Sequence, residues 1–156
     1  MILKVLGAVA AALLLVWAGG LAYLSYSAKT PDVRLQAGRL RPCPQTPNCV
    51  SSESTDPQSR IEPLRFKGSA QRAWADLASS IRALDGTIVE ERDGFLWATF
   101  TSRIFRFVDD MEFRLEAEEG VIQLRSGSRV GKSDMGVNRE RVERLRKLFE
   151  QRQGES

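Results

Sequence analysis

Phe107-Val108-Asp109-Asp110-Met111-Glu112-Phe113-Arg114-Leu115-Glu116-Ala117 is the stretch on which the fold turns. Successive side chains of a β-strand point to opposite faces. Phe107, Asp109, Met111, Phe113 and Leu115 therefore share one face, and Asp110, Glu112, Arg114 and Glu116 the other. The first face is apolar and must be covered, with Asp109 as an oddity at its end. Downstream, Glu118-Glu119-Gly120 forms a short hairpin into a strand over Val121–Ser126. Upstream, Gly86–Glu91 and Phe95–Thr101 read as strands, and Ile61–Phe66 as a further short one. Between them Ser69 caps a helix carrying Ala70, Trp74, Leu77, Ala78, Ile81 and Leu84, which Gly86 ends as the glycine beyond the C-cap. A last helix over about Asn138–Gln151 stacks Val142, Leu145, Leu148 and Phe149. The order β-α-β-β-β-β-α with short connections predicts an α+β fold. Its antiparallel sheet has four to five strands, and two helices lie on one face, since both apolar stripes need the same sheet to cover them. Residues 61–152 make this domain, and 153–156 are a tail.

The chain has 156 residues, 23 basic against 20 acidic, for a net charge of +3, and no histidine. Lacking histidine, it has no Ser-His-Asp or Cys-His nucleophile system and no imidazole base, and a zinc site is a poor fit. The even charge balance argues against a nucleic-acid partner, whose binder would carry a clear basic excess on one face.

Val5–Tyr26 carries no charge and is long enough to span about 30 Å of hydrocarbon. Tyr23 and Tyr26 stand at its outer end, where amphipathic rings favour the interface. Residues 1–28 are read as a membrane anchor or uncleaved signal, the rival being a cleaved signal peptide with Ser25 and Ser27 before the cut. The flanking charge is in conflict with the placement of the body. Lys4 precedes the span while Lys29, Arg34, Arg39 and Arg41 follow it, which by the positive-inside rule puts the body in the cytoplasm. Cys43 and Cys49, which enclose the five residues Pro-Gln-Thr-Pro-Asn, have a spacing that allows a small disulfide loop. In a membrane-anchored protein such a pair fits an oxidising compartment; two reduced buried thiols or half of a metal site are the alternatives. The expectation is a single-pass protein of the cytoplasmic membrane with its body extracytoplasmic, in the periplasm. All six prolines lie between Pro31 and Pro63, so residues 29–60 read as an irregular stalk pinned by the Cys43/Cys49 loop.

Ser126-Gly-Ser-Arg-Val-Gly-Lys-Ser133 invites a phosphate-loop reading and fails it. Ser126 stands where the first glycine belongs, and Asp134-Met135-Gly136 separates the loop from its helix. No nucleotide and no other cofactor is expected. Asp109, in an apolar stripe, needs a partner, for which Arg125, Arg129, Arg103 and Arg106 are candidates, with hydroxyls from Ser102, Ser126, Ser128 and Ser133. Such a cluster would bind an anionic head group, serve as an acid/base pair on Asp109 and Glu112, or simply fix the long loop to the sheet as a buried ion-pair network. Asp134 and Asn138 read as turn and N-cap residues, and Trp74 and Trp97 as core.

Three blocks resemble the domain-of-unknown-function family DUF1499 of bacterial and plastid proteins. They are Cys43-Pro-Gln-Thr-Pro-Asn-Cys-Val-Ser-Ser52, Thr101-Ser-Arg-Ile-Phe-Arg-Phe-Val-Asp-Asp-Met-Glu-Phe113 and Arg125-Ser-Gly-Ser-Arg-Val-Gly-Lys-Ser-Asp-Met-Gly-Val-Asn-Arg139. The resemblance implies an envelope or lumenal domain behind a signal or anchor, and it supplies no reaction. It marks Asp109, Asp110, Glu112, Arg125, Ser128, Arg129, Ser133, Asp134, Asn138 and Arg139 as the shared polar cluster, here taken as a candidate ligand-binding set without catalytic or metal residues. Lys132 departs from it, since the family often has an aromatic there. The resulting expectation is a membrane-tethered envelope module that binds a lipid, a glycan or a protein partner. A purely structural domain is the alternative, and a carboxylate-based hydrolase ranks third.

Overall fold

A computed structural model describes residues 2–154. Helix α1 (Ile2–Tyr26) is followed by β1 (Cys49–Ser51), β2 (Leu64–Arg65), α2 (Ala70–Ala83), β3 (Thr87–Arg92), β4 (Phe95–Thr101), β5 (Val108–Glu116), β6 (Val121–Ser128) and α3 (Val137–Gly154). The expected α+β architecture is present. The sheet has six strands rather than four or five, because β1 arises inside the Pro-rich segment. All pairings between these strands are antiparallel, in the order β1-β6-β5-β4-β3, and β2 continues the edge beside β6 below β1. Of the tail, Gln153 and Gly154 belong to α3, and residues 155–156 lie outside the described residues.

Register explains the core. Leu96, Ala98 and Phe100 of β4 lie opposite Phe113, Met111 and Asp109 of β5, which in turn face Leu124, Ser126 and Ser128 of β6. Onto this inner face α2 lays Ala73, Leu77, Ala78 and Ile81, and α3 lays Val142, Leu145 and Phe149. Ser69 caps α2 by accepting from the Arg72 N–H. At the other end of α2 it is Asp85 that takes the left-handed conformation (φ 61°). Gly86 follows one residue later, its N–H donating to Ile81 O. Gly86 has a packing reason instead: a Cβ there would lie 2.6 Å from the Phe100 ring and 2.7 Å from Ile81.

The opposite face of the sheet is covered as well. The segment read as a stalk is laid across it, with Val33 and Leu40 packed on Phe95 and Trp97. Cys43 and Cys49 are joined in a disulfide. Apart from β1, residues 29–60 thus act as a strap over the sheet's outer face, because Val33, Leu40, Arg41 and Glu53 find partners there.

Candidate functional site

The outer face of β5 carries Asp110, Glu112, Arg114 and Glu116, as the alternation requires. Glu112 is fully buried, and Arg125 of β6 and Arg41 of the strap both donate to it. Arg125 Nη1 lies 3.0 Å from Oε1, and Arg41 Nε is 3.1 and 3.2 Å from the two oxygens. Beside it Arg129 grips Asp110 through two bonds of 2.9 and 2.8 Å, and the Trp97 indole N–H donates to the same carboxylate at 2.8 Å. The third pair joins Arg114 to Glu53 of the strap and to Glu116, which also accepts from Gln123 at 2.9 Å. Glu53 in turn accepts the Leu40 N–H at 2.8 Å.

Charges removed from water need this pairing. Burial pushes the Arg125 guanidinium below its ordinary range; Glu112 works against that shift and neighbouring Arg41 adds to it. Gly127 stands between Cys49 and Asp110 in register. A Cβ there would meet Cys49 Sγ at 3.2 Å and Arg125 Nη1 at 3.3 Å. This glycine of the phosphate-loop lookalike therefore serves close packing of the disulfide on the Arg125 side chain.

Asp109 belongs to the other face. Its partner is Arg141 of α3, at 2.7 Å, whose guanidinium also lies 4.9 Å over the Phe100 ring. None of the four arginines considered from the sequence fills that role. Asp109 and Glu112 consequently sit on opposite sides of the sheet and form no acid/base pair. Nearby, Asn138 is fully buried inside α3 rather than capping it. Its side chain meets Ser126, Ser128, Asp134 and the Asn48 carbonyl. Asp134 does the capping, accepting the N–H groups of Gly136 and Asn138 at 3.0 and 2.8 Å. Ser133 Oγ accepts the Met135 N–H in the exposed loop, and Arg139 donates to the carbonyls of Gln58 and Arg60.

The ten residues of the polar cluster therefore divide. Asp110, Glu112, Arg125 and Arg129 lie under the strap; Asp109, Ser128, Asp134 and Asn138 lie where β6 meets α3; Ser133 and Arg139 stand apart. Arg41, Glu53, Arg114 and Arg141 complete the pairs and were not singled out from the sequence. Among the described residues no group of three or more acidic, cysteine or histidine side chains is placed to hold a metal ion.

The family model described as Protein of unknown function (DUF1499) matches residues 39–149. The chain belongs to this family. For DUF1499 the matched span begins at Arg39, so the strap from Arg39 through the disulfide is part of the family domain, whereas α1 lies outside it. No curated protein matches the sequence.

The pH dependence of the α3 junction follows from Asp134. Burial raises its pKa, but the donors of Asn138 and Gly136 outweigh burial and hold it below the usual aspartate range. A depressed folded-state pKa contributes stability that is complete above the unfolded value and is lost as pH falls through the folded one. Thermal unfolding should therefore hold steady above about pH 5 and weaken below about pH 4, where unfolded aspartate begins to bind protons. Asp134→Asn should show a shallower acid limb in a Tm-versus-pH series; an unchanged limb would remove Asp134 from this role.

Proposed function

We propose that the protein is a membrane-tethered module of the cell envelope whose body works outside the cytoplasm and binds a lipid, glycan or protein partner without catalysis. The observation that carries this reading is the Cys43–Cys49 disulfide, placed in the strap that directly follows the apolar helix. Helix α1 is long and apolar enough over Lys4–Tyr26 to cross a membrane, a property shared with signal sequences, and none of its described side chains is fully buried within the molecule. Disulfides persist outside the reducing cytoplasm. Non-catalytic work is supported by the carboxylates themselves. Asp109, Asp110 and Glu112 are each paired with arginine, which leaves no free general base among them.

A structural role for the domain is favoured by a separate observation. Arg125 and Arg129 keep only 8% and 11% of their side chains exposed, so they hold the strap and the β6–α3 loop more readily than a ligand. In intact cells, a membrane-permeant maleimide should modify neither cysteine before reduction and both after it. Labelling without reduction would place the body in a reducing compartment and overturn the reading.

A further inference from the structure

One end of the sheet gathers exposed apolar and basic side chains, and the same end meets α1. At that end Thr101 pairs with Val108 and Asp109 with Ser128, which brings the β4–β5 loop (residues 102–107) beside the β6–α3 loop (residues 129–136). The first loop reads Ser-Arg-Ile-Phe-Arg-Phe. Ile104 is 82% exposed at its tip, and Met135 in the second loop is 96% exposed. The Arg103 side chain is 94% exposed, and its one ion pair is a 3.9 Å contact with Asp85. Isolated exposed apolar residues need no explanation; a cluster of them rimmed by cations marks an interaction surface.

Two contacts show what that surface faces. The ring of Phe105 stacks edge-on against Trp17 of α1, with centroids 5.9 Å apart. Arg129 also reaches Thr30, just beyond the end of α1, at 3.3 Å. Trp17 lies about 13 Å along the helix axis from Tyr26 at 1.5 Å per residue. With Tyr26 at the interface, Trp17 falls within the outer half of a hydrocarbon core about 30 Å thick. The Phe105 ring, 5.9 Å from that of Trp17, therefore lies below the interface.

We propose that the β4–β5 loop is a membrane-inserting tip: Ile104 and Phe105 enter the acyl region of the leaflet next to α1, while Arg103 and Arg106 stay at anionic lipid head groups. Arginine suits those flanking positions because its aliphatic stem crosses the apolar zone while the guanidinium stays with phosphate. Met135 adds a second shallow contact from the neighbouring loop. The domain would then rest on the bilayer at two points, the helix and the tip, instead of swinging from the helix alone. This inference rests on the reading of α1 as a membrane tether.

The test uses the full chain with its disulfide intact, reconstituted in phosphatidylcholine–phosphatidylglycerol vesicles. A single environment-sensitive NBD label is placed at Ile104→Cys, at Leu13→Cys in α1, or at Glu118→Cys in the hairpin at the opposite end. Labels at 104 and 13 should both show blue-shifted, several-fold brighter emission and be quenched by doxyl lipids, whereas the label at 118 should behave as in water. Met135→Cys provides a second reporter on the same end. Arg103→Gln with Arg106→Gln should reduce insertion at 104 in the anionic vesicles and leave it unchanged in pure phosphatidylcholine. A lipid-like signal at 13 with water-like signals at 104 and 135 would overturn the loop assignment and leave the tether standing. A water-like signal at 13 would overturn the tether reading itself.

Discussion

Glu112→Gln should cost the domain about 3–5 kcal/mol, the range measured when one partner of a buried ion pair is removed. The substitution keeps the side chain's size, removes the charge and turns one acceptor oxygen into a donating amide. Glu112 is fully buried and is shared by two guanidiniums that approach from different parts of the chain, Arg125 of β6 and Arg41 of the strap. Without it two like charges remain close together in a region that water reaches poorly. Arg125 suffers most, because its Nε is buried and has no hydrogen-bond partner among the described residues even in the intact network. The strap should loosen before the sheet does. Its anchors on this face are Arg41 on Glu112, Glu53 on Arg114 and the small Val33/Leu40 cluster. Limited trypsin digestion of Glu112→Gln should therefore cut at Arg34 or Arg39 under conditions that leave the parent chain intact.

The companion variant separates charge from packing. Replacing Glu112, Arg125 and Arg41 together by leucine removes the desolvated charges as a set, and such replacements are often neutral or stabilising in buried triads. It should recover most of the stability lost by Glu112→Gln in urea unfolding. A cost below about 1 kcal/mol for Glu112→Gln would mean that water screens the triad, as it does exposed ion pairs, and the strap would then be held by its disulfide and apolar contacts.

The two faces of β5 were legible in the sequence because a strand's period of two sorts residues without any knowledge of the neighbours. Helices α2 and α3 were legible for the matching reason, a stripe at helical spacing. The cover on the outer face was not, since residues 29–48 have no period at all and join the sheet through single contacts. One signal pointed to it: β4 runs Phe95-Leu96-Trp97-Ala98, apolar on both faces, which is how a strand reads when both sides are buried. The charges on β5 pointed the other way, because alternating Asp110, Glu112 and Arg114 read as a solvated sheet face. Partners were harder still. Asp109 finds Arg141, 32 positions away. Nothing local in sequence distinguishes that arginine from its neighbours; only the docking of α3 on β6 selects it.

Asn138→Leu should destabilise the domain by about 3 kcal/mol, because it leaves several buried polar groups without partners and each costs roughly 1–3 kcal/mol. Asn138 is the joint between four parts of the chain. Its amide donates to Ser128 Oγ at 3.0 Å, to Asp134 at 2.8 Å and to the carbonyl of Asn48 at 3.3 Å. Its oxygen accepts from the buried hydroxyl of Ser126 and from Arg141 at 3.1 Å. Leucine fits the volume and satisfies none of these. Asn138→Asp supplies the sharper test, since it preserves shape and the acceptor while replacing the donor by a second carboxylate beside Asp134. Protonation would restore a donor and remove the repulsion, so this variant's deficit should be largest near neutral pH and shrink as pH falls toward the ordinary carboxylate range. The parent chain should move the opposite way, losing stability in acid through Asp134. Tm-versus-pH curves that converge in acid are the expected result for the two proteins. Parallel curves would mean that the Asn138 amide is replaced by water at this junction, and that α3 is held on the sheet by Val142, Leu145, Phe149 and the Arg141–Asp109 pair.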